Sequence, residues 1–405
     1  MDALDILTDI DNVIPYFQAI FSADEHTVIG YEVFGRYNGI NGLESLGPFF
    51  LDESIPEEYK NEVDKVVLTK ALDRAIELDD NFLLFINRDA DLLMFDDGED
   101  FLQMLMSYEE KGFDLNRIVL EISERNYTGQ SEHLDHLLVY YRTFGIKIAI
   151  DKMGSESSYV DRIGELAPDI LKIDLLALRS TSTSHMYQNV LYSLSMLARK
   201  IGANLLFENI EMVHQLQFAW KNGGRFYQGF YLHHPEEHFV EPTLRQARLG
   251  AEFHEFISYE KKKLTSILQL TDKFQGRLHG LLQKYRKYSS YEELLKNLSN
   301  ELTDVAFRMY VCNEDGFQKS SNIFYDNSNW VLQKEYVNKN WSWRPYFLEN
   351  IIKMQNEKKG ILSDLYSDIE TGGTVRTFSY PLDANEFLFI DLSYNFLDKM
   401  EVLLN

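Results

Sequence analysis

From about residue 12 to about residue 240, short apolar runs alternate with longer amphipathic stretches. The runs include Phe82–Asn87, Arg117–Ile122, Gly145–Asp151, Ile170–Asp174 and Leu205–Glu208. Between them apolar residues recur at three- and four-residue steps, as in Asp64–Leu78, Glu132–Phe144 and Tyr187–Ile201. The first pattern predicts strands and the second helices. Strands alternating with helices at this pitch predict a parallel α/β architecture.

The polar residues narrow that reading. Asn87, Glu121, Asp151, Lys172, Asp174 and Glu208 fall at or near the C-terminal ends of the predicted strands. In Arg117–Ile122, Ile118, Leu120 and Ile122 share one face and Glu121 takes the other. A parallel barrel gathers such residues at one mouth. An open doubly wound sheet more often carries a glycine-rich phosphate loop after its first strand, and none is visible.

Residues 243–289 read as one long helix, with Leu249, Phe253, Phe256, Leu264, Ile267, Phe274, Leu278 and Leu281 in helical spacing and Lys261–Lys263 on the polar face. The pattern predicts a connector helix packed on one or both domains. Ser290 with Glu293 predicts a capping box opening a further helix. Beyond about residue 300 the texture changes. Phe307–Val311, Thr374–Tyr380 and Glu386–Leu392 read as strands, with turns at Glu314–Gly316, Thr371–Gly373 and Asp383–Asn385. Three parts follow: a barrel over 1–242, a connector helix over 243–289 and a smaller α+β domain over 290–405.

Charge and cysteine content change the picture a little. With 40 Lys and Arg against 64 Asp and Glu, the formal charge is −24. That argues against sequence-independent binding of duplex nucleic acid, which needs a cationic surface. It leaves open a small anionic ligand held through a divalent cation. The single cysteine, Cys312, rules out an intrachain disulfide. The acidic first twelve residues lack the basic region of a signal peptide, and no apolar run approaches the roughly 18 residues of a membrane span. The expectation is a cytoplasmic protein with no membrane span.

Six segments carry a family resemblance: Tyr16-Phe17-Gln18-Ala19-Ile20; Glu32-Val33-Phe34-Gly35-Arg36; Phe85-Ile86-Asn87; Leu120-Glu121-Ile122-Ser123-Glu124; Asp151-Lys152-Met153-Gly154 with Leu171-Lys172-Ile173-Asp174; and Glu208-Asn209-Ile210-Glu211 with Gln228-Gly229-Phe230. In this order and spacing the first 240 residues resemble the EAL family of cyclic di-GMP phosphodiesterases. The resemblance implies a TIM-like (β/α) barrel of EAL type and cyclic di-GMP as partner. It implies a divalent metal (Mg²⁺, Mn²⁺ or Ca²⁺) held by Glu32, Asn87, Glu121 and Asp151. Lys172 and Glu208 would position or deprotonate the attacking water. Gln18, Glu32, Phe34, Arg36, Asp174, Glu211 and Gln228 would contact the ligand, and Glu124 and Glu211 would brace the site. Hard oxygen donors suit such cations, and two metals clamp the charge of a phosphodiester in displacement.

The resemblance breaks at Lys152. Catalytic members carry a second Asp there, which binds the second metal. A protonated lysine has no lone pair and cannot coordinate. The following loop, Met153-Gly154-Ser155-Glu156-Ser157-Ser158, replaces a family Phe-Gly-Thr-Gly-Tyr-Ser, with Glu156 where a glycine stands. In the family this loop links metal binding to dimer contacts, so a homodimer is also implied. Position 209 carries Asn in place of a family glycine. Two readings stay open: a degenerate receptor that binds cyclic di-GMP with weak or no hydrolysis, and a working phosphodiesterase that produces linear pGpG.

The tail resembles PAS/Cache-like sensor domains at Trp341, Trp343, Arg344, Tyr346, Asp364, Tyr366 and Asp368. A small ligand, a core role for the aromatics, and an interaction or dimerisation surface are the three readings of it.

Overall fold

In the computed structural model, described residues are 3–400 except 41, 80, 95, 124–130, 154–159, 180–184, 327, 345, 346 and 369. For residues 123, 131, 151–153, 160–162, 185 and 186 the description covers the backbone. Two compact units divide between Phe256 and Ile257, inside the helix Gln246–Lys284.

In the first unit nine strands form one sheet: β1 Val13–Ser22, β2 Val28–Gly39, β3 Gly42–Ser45, β4 Leu83–Asp89, β5 Ile118–Ser123, β6 Lys147–Met153, β7 Ile170–Asp174, β8 Asn204–Glu208 and β9 Phe226–Tyr227. Their order is β1-β9-β8-β7-β6-β5-β4-β2-β3, and β1 also pairs with β2. Eight strands therefore close into a barrel and β3 hangs on the outer edge of β2. The unit is a TIM-like α/β barrel. Strands β2 and β4 to β9 run parallel. The expected parallel arrangement has one exception, because β1 is antiparallel to both β2 and β9. The cause is local. Only Ala23–Thr27 separate β1 from β2, enough for a hairpin but not for the crossover a parallel pair requires.

Helices such as Glu57–Ala75, Ser131–Arg142 and His185–Ile201 follow the strands. Alternate strand residues divide the core as period two demands. Ile118, Leu120 and Ile122 join the cluster between sheet and helices, whereas Val119 joins the barrel interior. Leu249, Phe253 and Phe256 of the long helix are buried in the first unit's core.

The second unit is α+β. Its strands are β10 Ala306–Asn313, β11 Asn322–Tyr325, β12 Trp330–Gln333, β13 Ile361–Leu362, β14 Tyr366–Ser367, β15 Thr374–Val375, β16 Thr377–Pro381 and β17 Glu386–Leu392. Six form an antiparallel sheet in the order β12-β11-β10-β17-β16-β13. The run Thr374–Tyr380, expected as one strand, breaks at Arg376 into β15 and β16, which serve different sheets. Ser290 caps the helix Tyr291–Glu301 by accepting from the Glu293 amide at 3.2 Å. The return half of the capping box lands one residue earlier, because the Glu293 carboxylate accepts from the Ser289 amide at 2.8 Å.

The grouping expected in the tail is only partly formed. Asp368 is buried and takes hydrogen bonds from Arg308, the shorter at 2.8 Å, while Asp391 takes one from Arg308 at 2.5 Å. Asp368 therefore belongs to an internal ion pair rather than opposing Arg344 across a ligand. Arg344 lies 4.6 Å from the Trp341 ring, and Trp343 is exposed. Tyr346 lies outside the described residues.

Candidate functional site

One ring of the barrel interior is apolar. Ile20, Phe85, Val119, Ala149, Ile170, Leu206 and Phe226 are buried together. Two residues further along six of those strands stand Asn87, Glu121, Asp151, Lys172, Glu208 and Gln228. Residues two apart on a strand share a face. On β1, which runs the other way, the step reverses and gives Gln18. Gln18 is the cross-strand partner of Glu32 on β2. The polar residues expected from the sequence thus form a second ring directly above the apolar one. Asp151 stands at the corresponding step of β6, where the register against β7 shifts, and its side chain lies outside the described residues.

The ring is tightly bonded. The Lys172 ammonium lies 2.7 Å from Glu121 Oε2, 3.0 Å from Glu32 Oε2 and 3.4 Å from Glu208 Oε2. Asn87 donates to Glu32 Oε1 at 2.6 Å. Gln228 donates to Glu32 Oε2 at 2.7 Å and to Gln18 Oε1 at 3.1 Å. Gln18 in turn donates to the His233 carbonyl at 3.1 Å. Burial on its own raises a carboxylate pKa. For Glu32 the Lys172 ammonium and the hydrogen bonds from Asn87 and Gln228 outweigh burial, so its pKa lies below the usual value.

Other expected residues sit at the rim. Asp174 accepts from the Leu176 amide at 2.7 Å and from Asn209 Nδ2 at 2.9 Å. Asn209 has φ +57°, the left-handed conformation expected where the family has glycine. Glu211 is paired with Arg179. Phe34 and the half-buried Arg36 lie further out along β2. Asp174 is the cross-strand partner of Glu208, while the Glu211 and Arg36 side chains bond to Arg179 and to Ser45. Glu124 lies outside the described residues, as does the side chain of Lys152.

The donor chemistry fits a hard divalent cation. Among the described side chains of the ring, the carboxylates of Glu32, Glu121 and Glu208 stand round the single Lys172 ammonium, and carboxylate and amide oxygens are the donors that such a cation prefers. The buried Gln228 Oε1 has no hydrogen-bond partner among the described residues. No group of three or more His, Cys, Asp or Glu is arranged as a metal centre among them. The carboxylates are instead drawn round Lys172. Were a cation to enter, Glu32, Asn87 and Glu121 would be the described residues whose oxygens could turn to it.

Residues 2–235 match the family model of the EAL domain, more than half of the chain. The chain belongs to the EAL-domain family. Residues 239–404 match the model described as the EAL-domain associated signalling protein domain. The EAL-domain containing protein YkuI of Bacillus subtilis (strain 168) is 54% identical over 406 residues, covering 100% of both chains. The crystal structure of YkuI, in complex with substrate cyclic di-GMP and calcium, superposes with a TM-score of 0.95 over 100% of both chains. The probable cyclic di-GMP phosphodiesterase PdeG of Escherichia coli (strain K12) is 26% identical over 55% of this chain and 44% of its own. An EAL domain protein from Listeria monocytogenes EGD-e, at 20% identity, covers 58% of this chain and 94% of its own with TM-score 0.51, which shows the shared fold.

The EAL barrel carries one irregularity at its point of departure from the family. The register of β6 against β7 shifts between Ile150↔Leu171 and Met153↔Ile173. Asp151 and Lys152 occupy the extra step. A bulge of this kind re-aims side chains and is frequent beside active sites. Sequence reasoning missed His233. His233 enters through its backbone carbonyl, which leaves no mark in a sequence pattern.

Proposed function

We propose that this chain is a cyclic di-GMP-binding signalling protein whose degenerate EAL domain acts as a receptor, with weak or no hydrolysis. The observation that carries the binding is the single polar ring that brings Gln18, Glu32, Asn87, Glu121, Lys172, Glu208 and Gln228 together. Its similarity to YkuI, crystallised with the nucleotide and calcium, supports the same ligand here. When bound, a divalent cation neutralises phosphate charge and polarises the phosphorus centre. Glu32, Asn87, Glu121 and Asp151 would hold it. Gln18 and Gln228 then orient the nucleotide from the neighbouring wall.

Weak hydrolysis follows from Lys152. A positive side chain replaces the carboxylate of the family's second metal position, so part of the charge clamp is missing. Loss of one electrostatic stabiliser costs roughly 10²–10³ in rate. A second reading, an active metal-dependent phosphodiesterase making linear pGpG, is favoured by one feature: Glu208 and Lys172, the pair suited to handle a water proton, are adjacent at 3.4 Å. Product analysis of cyclic di-GMP incubated with the full chain and Mg²⁺ or Mn²⁺ separates the two. The receptor reading expects turnover far below about 1 s⁻¹, the low end of ordinary enzymes. Turnover at that level overturns it.

The setting assigned to the protein is cytoplasmic; no helix among the described residues is long and apolar enough to cross a membrane. We assign residues 290–405 a PAS/Cache-like sensing role. Support comes from an antiparallel sheet flanked by helices, with Arg344 against Trp341. A homodimer through the barrel completes the proposal.

A further inference from the structure

Above the carboxylate ring the β1–β2 hairpin continues outward. Its register pairs Gln18 with Glu32, Tyr16 with Phe34 and Ile14 with Arg36. Tyr16, Phe34 and Arg36 therefore lie on the same face of the hairpin as Gln18 and Glu32, one and two steps further out. The Arg36 guanidinium carbon is 5.6 Å from the Tyr16 ring centroid and 5.8 Å from that of Phe34. Both are within cation–π range. Across the other edge of β2, Arg36 pairs with Ser45 of β3. Arg36 Nη1 donates to Ser45 Oγ at 3.2 Å and to the Gly35 carbonyl at 3.1 Å.

That arrangement uses the guanidinium in a defined way. Of its five N–H donors, the two on Nη1 are spent on the hairpin itself. The Nε and Nη2 edge has no hydrogen bond among the described residues, and it is the edge that makes bidentate contacts to a phosphate or to a guanine O6/N7 pair. A long cationic side chain held in place before binding loses less freedom when the ligand arrives.

We propose that Tyr16 and Ser45 are positioning residues: they hold Arg36 at the barrel mouth with its free edge set for the phosphate or guanine edge of a cyclic dinucleotide. This rests on the ligand assigned above and extends it to two residues to which the family resemblance gives no ligand role. The plainer account is that Tyr16 and Phe34 are a cross-strand aromatic pair that only stiffens the hairpin. In that account Tyr16 matters equally whether or not Arg36 is present.

The test is a double-mutant cycle on the full chain, read by calorimetric titration with cyclic di-GMP. Tyr16→Phe keeps the ring and is expected to bind within about twofold of the unmodified chain. Tyr16→Leu keeps an apolar side chain without the ring's charge distribution and is expected to weaken binding roughly 3- to 30-fold. In an Arg36→Gln background the same Tyr16→Leu change is expected to add less than about twofold, because the two residues act as one unit. Ser45→Ala follows the same pattern. Equal losses with and without Arg36, or a Tyr16→Leu protein that binds like Tyr16→Phe, overturns the proposal. An unmodified chain that does not bind removes the ligand assignment and this inference together, whereas binding with additive losses removes only the positioning role.

Discussion

The ammonium of Lys172 lies 2.7 Å from a carboxylate oxygen of Glu121, and both side chains are wholly buried in the barrel. Two opposite charges taken out of water at this separation depend on each other. Removing Lys172 takes the ammonium from Glu121, Glu32 and Glu208 at once. Lys172→Met is therefore expected to cost about 3–5 kcal/mol of barrel stability. Equilibrium denaturation checks this, and Lys172→Met combined with Glu121→Gln is expected to recover part of the loss. If the double variant is less stable than the single by the full cost of a second lesion, the two groups are not coupled.

Acid sensitivity follows from Glu32. Its folded pKa lies below the ordinary 4.5 because Lys172, Asn87 and Gln228 favour the charged form over the effect of burial. Such a group contributes stability that is fully present above the unfolded pKa and is lost as pH falls through the lower folded value. The denaturation midpoint is expected to drop as pH is lowered from about 5. The gap between the native chain and Glu32→Gln is expected to be widest near neutrality and to shrink toward acid. A gap independent of pH contradicts this.

Gly229 makes a tight backbone contact at the mouth. It has φ +149°, and a Cβ there meets the Ile210 carbonyl oxygen at 2.2 Å. The same stretch carries Gln228 and the bond from the Ile210 amide to the Gln228 carbonyl at 3.1 Å. Gly229→Ala is expected to lower the thermal midpoint and to weaken nucleotide binding together, since it displaces Gln228 from Glu32. A variant with normal binding shows that Gln228 is held by other contacts.

Much of the barrel was legible because strands buried on both faces read as short apolar runs bounded by polar residues. Ile170–Asp174 and Glu386–Leu392 match their strands end to end. Helix Glu57–Ala75 starts earlier than its apolar pattern, since its first turn, Glu57 and Glu58, is acidic and follows Pro56. The positions of Glu121, Lys172 and Glu208 were readable from strand ends, but their convergence on one ammonium was not. That depends on ring closure across β4 to β8. Arg308 shows the same limit. Its partners Asp368 and Asp391 lie 60 and 83 residues away, and no local pattern announces such a pairing.

The second unit carries its own internal lesion site. Arg308 is buried and bonded to Asp391, Asp368 and Glu370. Arg308→Met is expected to destabilise residues 257–405 by about 3–5 kcal/mol through the carboxylates it leaves behind. Hydrogen exchange of the full chain locates the effect. Loss of protection confined to the barrel speaks against it.

The departure at Lys152 gives a gain-of-function expectation. Lys152→Asp with Glu156→Gly restores a carboxylate and a glycine at the family positions, and hydrolysis is expected to rise by up to roughly 10²–10³. A double variant as slow as the native chain places the defect elsewhere.

The central claim is that oxygen donors of the polar ring hold a divalent cation that grips cyclic di-GMP. Titrating the full chain with cyclic di-GMP, in Ca²⁺ and again in excess chelator, tests it most directly. Saturable binding at one nucleotide per chain that weakens at least about tenfold without the cation, a difference of about 1.4 kcal/mol, is the result expected. No binding in Ca²⁺, or equal affinity in chelator, contradicts it.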